Sequence, residues 1–302
     1  MTTPLEQAPA ALAEGREVWL KREDLHELGA FKWRSALPVV QRYRDEGARA
    51  VVTASTGNHG AATAWAAGRA GITAVVFAPA ESSQTKLARL EQLGADIRLG
   101  GADVDEAKDA GKAFARNEGL PFFEDGAEPL QYEAYGAIAD EIVEQLGREP
   151  AAVVVPLGNG ALLGGIGLAL GRSFPSTLRV GVAAKDAPVM ALSWEARQPV
   201  TSDRCATIAD GLAVRVAIPY AVEMLNDAAD RMLLVTEREI AAAVAAFDAA
   251  GIRTEAAAGA GLAALPQLAD VDGPVVLIVT GANIDDGLLA RCRDDIQSFP
   301  AG

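Results

Sequence analysis

Short runs of aliphatic and β-branched residues alternate with alanine-rich amphipathic stretches along nearly the whole chain. The apolar runs predict strands over residues 50–53, 73–78, 95–99, 152–156, 178–183, 231–235 and 274–280. Between them the 3.6-residue pattern predicts helices over residues 32–46, 60–71, 83–94, 104–117, 129–147, 163–174, 237–250 and 285–297. Gly71, Gly94 and Gly251 close helical stretches and are read as C-terminal caps. Strands alternating with helices of this length predict an α/β fold of open, twisted, mostly parallel sheets covered by helices on both faces. The alternation restarts after the helix-rich stretch 129–147, compatible with two α/β units, and no internal repeat marks their boundary.

Composition narrows the classes. At 302 residues the chain is long enough for about two domains. Half of it is apolar and 23% is charged, which suits a packed interior. A formal net charge of −14 without any Lys/Arg-rich run argues against a nucleic-acid partner. No apolar stretch approaches the ~20 residues that span a bilayer, so no membrane role is expected. The N-terminus has no basic start followed by an apolar core, and Cys205 and Cys292 are the only cysteines. Both features fit a reduced, cytoplasmic protein without a signal peptide or a cysteine metal site.

Four segments carry candidate chemistry. The first runs Lys21-Arg22-Glu23-Asp24-Leu25 and then Gly29-Ala30-Phe31-Lys32-Trp33-Arg34. A lysine opening a helix is ordinarily solvated, but small and aromatic neighbours allow close approach and ring packing. A lysine amine that loses its proton can form a Schiff base. The second is Thr53-Ala54-Ser55-Thr56-Gly57-Asn58-His59-Gly60, between a strand and a helix. Backbone N–H groups at such a helix start suit a carboxylate, although Ser, Thr and Asn there also fit an ordinary capped turn. The third, Pro156-Leu157-Gly158-Asn159-Gly160-Ala161-Leu162-Leu163, repeats the strand–turn–helix arrangement and can receive a phosphate. It lacks the Gly-Lys-Ser/Thr of a Walker loop, and a tight turn is the plainer reading. The fourth, Val279-Thr280-Gly281-Ala282-Asn283, ends the most apolar strand, where open α/β sheets bind ligands.

Taken in order, and with Thr207-Ile208-Ala209-Asp210-Gly211-Leu212-Ala213-Val214, these segments resemble the fold-type-II pyridoxal-phosphate enzymes, specifically the threonine/serine dehydratase and serine racemase branch. The resemblance implies a tryptophan synthase β-like architecture: a large cofactor domain of residues 1–32 and 132–302, and a small substrate-loop domain of residues 33–131. It implies pyridoxal 5′-phosphate as cofactor, with Lys32 forming the Schiff base and Phe31 packing near the ring. Asn58 would bond the phenolic oxygen, and the Gly158, Asn159, Gly160, Ala161 and Leu162 turn would cradle the phosphate. Thr280 would face the pyridine nitrogen, with Glu255 near the ring. Ser55, Thr56, Gly57, Asn58 and His59 would hold the substrate carboxylate. The reaction implied is β-elimination of a small β-hydroxy amino acid such as L-threonine or L-serine, giving a 2-oxo acid and ammonia. A hydroxyl at Thr280 supplies no negative charge to the ring nitrogen, which favours prompt loss of a β-leaving group over a long-lived carbanion.

The chain departs from that branch at several positions. Asn159 and Ala161 stand in a turn that is four glycines in many dehydratases, and Ala30 stands for the usual serine before Phe31-Lys32. Ala134-Tyr135-Gly136-Ala137 replaces Gly-Gln-Gly-Thr and directs Tyr135 toward the substrate; Thr280 stands where serine is frequent. Thr56 occupies the position at which racemases use a serine as the opposite-face acid. No acidic residue occurs at the family's metal-ligand position in Val182-Ala183-Ala184-Lys185, so no metal is expected. With the last residue at Gly302, no regulatory domain of the biosynthetic dehydratase kind is expected. The resemblance implies a homodimer acting on a small amino acid. Racemisation, threonine-synthase-like β- or γ-replacement, and cofactor binding without turnover are the competing readings.

Overall fold

The alternating apolar runs become two separate sheets in the computed structural model, which describes residues 1–202 and 205–301. Asp203, Arg204 and Gly302, the last residue of the expected large domain, lie outside the described residues. The chain divides into two compact units, Met1–Phe31 with Tyr135–Gly302, and Lys32–Ala134.

Among the described residues the strands are β1 (Leu5–Gln7), β2 (Val18–Arg22), β3 (Ala50–Ala54), β4 (Thr73–Ala78), β5 (Asp96–Leu99), β6 (Ala152–Pro156), β7 (Leu178–Ala184), β8 (Arg231–Val235) and β9 (Val275–Val279). The helices are α1 (Ala10–Ala13), α2 (Trp33–Asp45), α3 (Asn58–Ala70), α4 (Gln84–Gln92), α5 (Val104–Glu118), α6 (Pro129–Leu146), α7 (Ala161–Ser173), α8 (Val189–Ala196), α9 (Pro219–Ala228), α10 (Glu237–Ala249), α11 (Ala256–Ala263) and α12 (Asp286–Asp294).

The larger unit is built on a six-stranded sheet of order β1-β2-β9-β6-β7-β8, parallel except where β1 runs antiparallel to β2. β6 and β9 are uninterrupted apolar runs, buried at every position. That is the signature of parallel strands covered on both faces. Phe247, Leu265, Leu277, Val154 and Val182 belong to one core between this sheet and its helices. The smaller unit is a parallel three-stranded sheet, β3-β4-β5, whose core joins Val52 and Val75 to Ala115 of α5.

Local signals fix the helix starts. The Asp103 side chain accepts from Asp105 N and Glu106 N at the head of α5, and Thr236 with Glu239 forms a full capping box on α10. Gly71, Gly94 and Gly251 follow their helices with φ of 71°, 80° and 76°. Six elements lie outside the sequence expectation, among them the single-turn α1. β1 and β2 are missed because β1 is three residues long and β2 ends in Lys21 and Arg22, which look like surface residues. Lys21 is fully buried, bonding the Thr3 carbonyl at 2.6 Å and Glu141 of α6 at 2.5 Å. α8 and α9 fall in a stretch with no clear period, and α11, AAAGAGLA, is buried on nearly all sides and shows no amphipathic stripe.

Candidate active site

In the smaller unit, β3 leaves its sheet at Ala54 and α3 begins at Asn58. Gly57 is the N-terminal cap of α3 and no side chain caps it; Ser55 Oγ turns back to accept from Gly57 N at 3.2 Å. Helical bonding starts with Ala61 N on Gly57 O, so the amides before it stand outside the ladder. Ser55, Thr56, Gly57 and Asn58 are all half-buried. An anion fits this helix start, where N–H groups and the helix dipole act together.

His59 is turned inward. Its Nε2 lies 3.2 Å from the Phe123 carbonyl, its ring packs edge-on against Phe123 at 4.5 Å, and Nδ1 lies 3.8 Å from Asp125. Burial pushes the imidazole below its ordinary range and Lys32 adds to this, against the opposing pull of Asp125. His59 is therefore a neutral ring that supports the loop from beneath.

Lys32 caps α2, its carbonyl accepting from Ala36 N at 3.1 Å. Its Nζ is 2.6 Å from Asp125 Oδ2, with the two side chains 13% and 23% exposed. Gln131 holds the other carboxylate oxygen at 2.9 Å and accepts from Gly126 N through its own oxygen at 2.8 Å. Burial disfavours the Asp125 anion, but Lys32, His59 and Gln131 together outweigh it and hold the carboxyl well below its ordinary range. Asp125 and Gln131 are missed by sequence reasoning. The available signal was an acid pair, Glu124-Asp125, in a loop with no charge-bearing neighbour in sequence to explain it.

In the larger unit, β6 turns into α7 through Leu157, Gly158, Asn159 and Gly160. Gly160 caps α7 at φ 93°, a conformation that side chains resist. A Cβ at Gly158 would fall on the carbonyl oxygen of Gly211, so this turn packs directly on the run 207–214. That run is anchored in turn, Ile208 N donating to Glu237 at 2.7 Å. Asn159 Oδ1 accepts from Ala161 N at 3.1 Å, and helical bonding begins only with Gly164 N on Gly160 O. The amides ahead of that bond, including that of Leu162, suit a phosphate dianion.

β9 lies parallel to β6, so Thr280 leaves the same edge of the sheet as the Gly158 turn. Thr280 Oγ1 donates to Glu255 Oε1 at 2.7 Å, Glu255 N donates to Gly281 O at 2.9 Å, and Phe31 N donates to Thr280 O at 3.0 Å. Phe31 is thereby fixed against Thr280, and Lys32 is the next residue in the chain. The Phe31 ring lies 5.2 Å from that of Tyr135, which is fully buried. Among the described residues no group of three or more His, Cys, Asp or Glu side chains is arranged to hold a metal.

Within the larger unit, the helix start after the glycine turn, Gly158 to Leu162, is of the kind that suits the phosphate of pyridoxal 5′-phosphate. Within the smaller unit, the shielded amine of Lys32 is of the kind that suits its carbonyl carbon. Parallel sheets with these parts at strand carboxyl ends define a pyridoxal-phosphate enzyme of fold type II. A family model described as pyridoxal-phosphate dependent enzyme matches residues 1–281, and the chain belongs to that family. The chain is 32% identical over 280 residues to an L-threonine ammonia-lyase of Thermotoga maritima, covering 92% of this chain and 70% of that protein. Among solved structures, the processed form of threonine deaminase isoform 2 from Solanum lycopersicum superposes with a TM-score of 0.92 at 29% identity, covering 98% of this chain and 88% of that one. Maize serine racemase gives 0.88 at 26% identity, with 96% and 90% covered.

Proposed function

We propose that the protein removes water and ammonia from a small β-hydroxy amino acid, L-threonine or L-serine, leaving a 2-oxo acid. The observation that carries this reading is the Lys32 amine, 13% exposed and held by an ionised carboxylate at the head of α2. The similarity to L-threonine ammonia-lyase and threonine deaminase supports the substrate class. When bound, pyridoxal phosphate supplies an electron sink for the bond broken at Cα.

The residues divide the work as follows. Lys32 would hold the cofactor, and its free amine would be the base that takes the Cα proton. The uncapped start of α3 binds the substrate carboxylate through its amides, with Ser55, Thr56 and Asn58 lining the turn. Asn58 would bond the cofactor's phenolic oxygen, Phe31 would pack beside the ring, and Gly158, Asn159, Gly160, Ala161 and Leu162 would take the phosphate. Thr280, backed by Glu255, would serve the ring nitrogen. Tyr135 reaches this group of residues through its packing on Phe31.

Racemisation is the second reading. It is favoured by the Thr56 hydroxyl, half-buried beside the uncapped helix start, and by the likeness to maize serine racemase. Incubating cofactor-loaded protein with L- and D-serine, L- and D-threonine and bulkier analogues, while assaying 2-oxo acid and enantiomer ratio, separates the two. Oxo acid from an L-substrate supports elimination; enantiomer exchange without oxo acid overturns it. No helix among the described residues is long and apolar enough to cross a membrane. The buried thiol of Cys292, which forms no disulfide, supports a reduced, cytoplasmic setting. The enzyme is read as a homodimer, which sedimentation of the purified protein tests.

A further inference from the structure

The acid that holds Lys32 has no assigned part in the reaction above. Asp125 sits in the segment after Phe123, and its two oxygens are committed separately: Oδ2 to Lys32 Nζ at 2.6 Å, Oδ1 to Gln131 Nε2 at 2.9 Å. Gln131 is fully buried and cannot swing away, because its oxygen is tied to Gly126 N and its nitrogen also lies 3.5 Å from Ser35 Oγ. Ser35 in turn donates to the Lys32 carbonyl at 3.3 Å. The carboxylate is thus braced from α6 and aimed at the lysine nitrogen.

The other charges around this carboxylate are few. His59 of α3 approaches Oδ1 at 3.8 Å and is held neutral by its burial. Glu124, the neighbouring acid, is occupied by Lys112 at 2.8 Å and Lys108 at 3.4 Å, both from α5. Lys32 is therefore the one close cation facing Asp125 among the described residues. When an amine condenses with an aldehyde, water leaves and the nitrogen stays as an imine, with or without a proton. If the proton is lost, a braced, shielded carboxylate is left facing an uncharged nitrogen, an arrangement that costs free energy. An opposite charge within about 4–6 Å favours the protonated form of such a nitrogen by about 1–3 pH units.

We propose that Asp125 is a positioning residue that serves as the standing counter-ion of the Lys32 nitrogen, and so keeps the imine formed there protonated and open to attack by the substrate amine. The proposal deepens the function given above and rests on Lys32 being the lysine that holds pyridoxal phosphate. With the cofactor bound, a protonated Lys32 nitrogen would make the carbon it holds the better electrophile toward the substrate amine, and Asp125 would be the group that keeps that proton in place. No oxidant or further reactant is needed.

The test is a pH titration of the visible absorbance band of the protonated imine in the cofactor-loaded enzyme, against the near-ultraviolet band of the neutral form. In Asp125→Asn the midpoint should fall by one pH unit or more, whereas Asp125→Glu should retain most of the wild-type value. Gln131→Met, which loosens the brace and leaves the charge in place, should give a smaller fall. Borohydride reduction followed by peptide mapping reports in parallel whether the imine is at Lys32. An imine at Lys32 whose titration is unchanged in both Asp125→Asn and Gln131→Met overturns the counter-ion role alone. A wild-type protein that forms no imine at Lys32 overturns the role together with the cofactor assignment on which it rests. Should Asp125→Asn fail to fold, a Gln131→Met midpoint equal to the wild type is by itself enough to sink the proposal.

Discussion

Thr280 donates its only hydroxyl proton to Glu255, 2.7 Å away, with both side chains buried. The consequence is directional. A hydroxyl committed as donor to a carboxyl group has lone pairs alone left to offer elsewhere, so anything it meets on its other side must bring the hydrogen. Threonine by itself supplies no charge to a ring nitrogen; threonine backed by Glu255 presents a carboxyl group one hydrogen bond further off.

Removing that hydroxyl should be costly in proportion to what it leaves behind. Thr280→Val keeps the shape and removes one buried hydrogen bond to the Glu255 carboxyl, which costs about 0.5–1.5 kcal/mol or more. Thr280→Ser keeps the donor and should stay within about 1 kcal/mol of the wild type. Urea unfolding of the two variants checks the difference. Equal midpoints would mean that the bond adds nothing to stability.

The Lys32–Asp125 ion pair makes a separable prediction. Lys32→Ala and Lys32→Arg should both abolish covalent cofactor attachment and reduce turnover by about a thousandfold or more, the scale for loss of an essential nucleophile. Only Lys32→Ala leaves Asp125 without its cation. With both groups partly shielded, that should cost about 1–3 kcal/mol, less than for a fully buried pair. Differential scanning calorimetry on the cofactor-free variants should therefore place the melting temperature of Lys32→Ala several degrees below that of Lys32→Arg.

Gly160 offers a test of the phosphate turn. At φ 93° any other residue is strained by about 1–2 kcal/mol, and a Cβ there would also meet Leu225 at 2.9 Å and Met190 at 3.1 Å. Gly160→Ala should weaken cofactor binding about tenfold or more as the amides ahead of α7 move. Equilibrium titration with pyridoxal phosphate measures it, and an undiminished affinity would remove this turn from the cofactor site.

Acid should destabilise the protein in two stages. His59 has a folded value below its unfolded one, so its contribution is present above about pH 6.5 and is lost as pH falls through the folded value. Asp125 behaves likewise from below about pH 4, the ordinary carboxylate range. Melting temperatures recorded from about pH 8 to about pH 2 should decline first through the histidine window and again below about pH 4. His59→Gln should flatten that first stage while leaving the second.

How much of this was legible in the sequence depends on where each residue's partner lies. β6 is bounded as its apolar run predicts, because a strand buried on both faces announces itself in its own composition. The Gly158 turn, Thr280 and Lys32 stand out through the short motifs that hold them, at strand ends and a helix start, although their partners Gly211, Glu255 and Asp125 are distant in sequence. β2 was not legible, since the buried Lys21 near its end pairs with Glu141 on a helix far along the chain. Asp125 was not, since Lys32 and His59 reach it from two different helix starts. A charge whose partner is distant in sequence looks like a surface charge until the chain is folded.

The pairing of β2 with β9 also bears on how the protein is born. Val18 finds its partner in Val275, and nearly the whole chain lies between them. On the ribosome, Lys32–Ala134 can close its own three-stranded sheet as soon as it emerges. On the side that faces β9, the VWLKR edge of the larger unit has to wait until β9 has been made. A chain stalled before residue 275 would thus carry one finished unit and one open sheet edge, which makes it a ready client for chaperones.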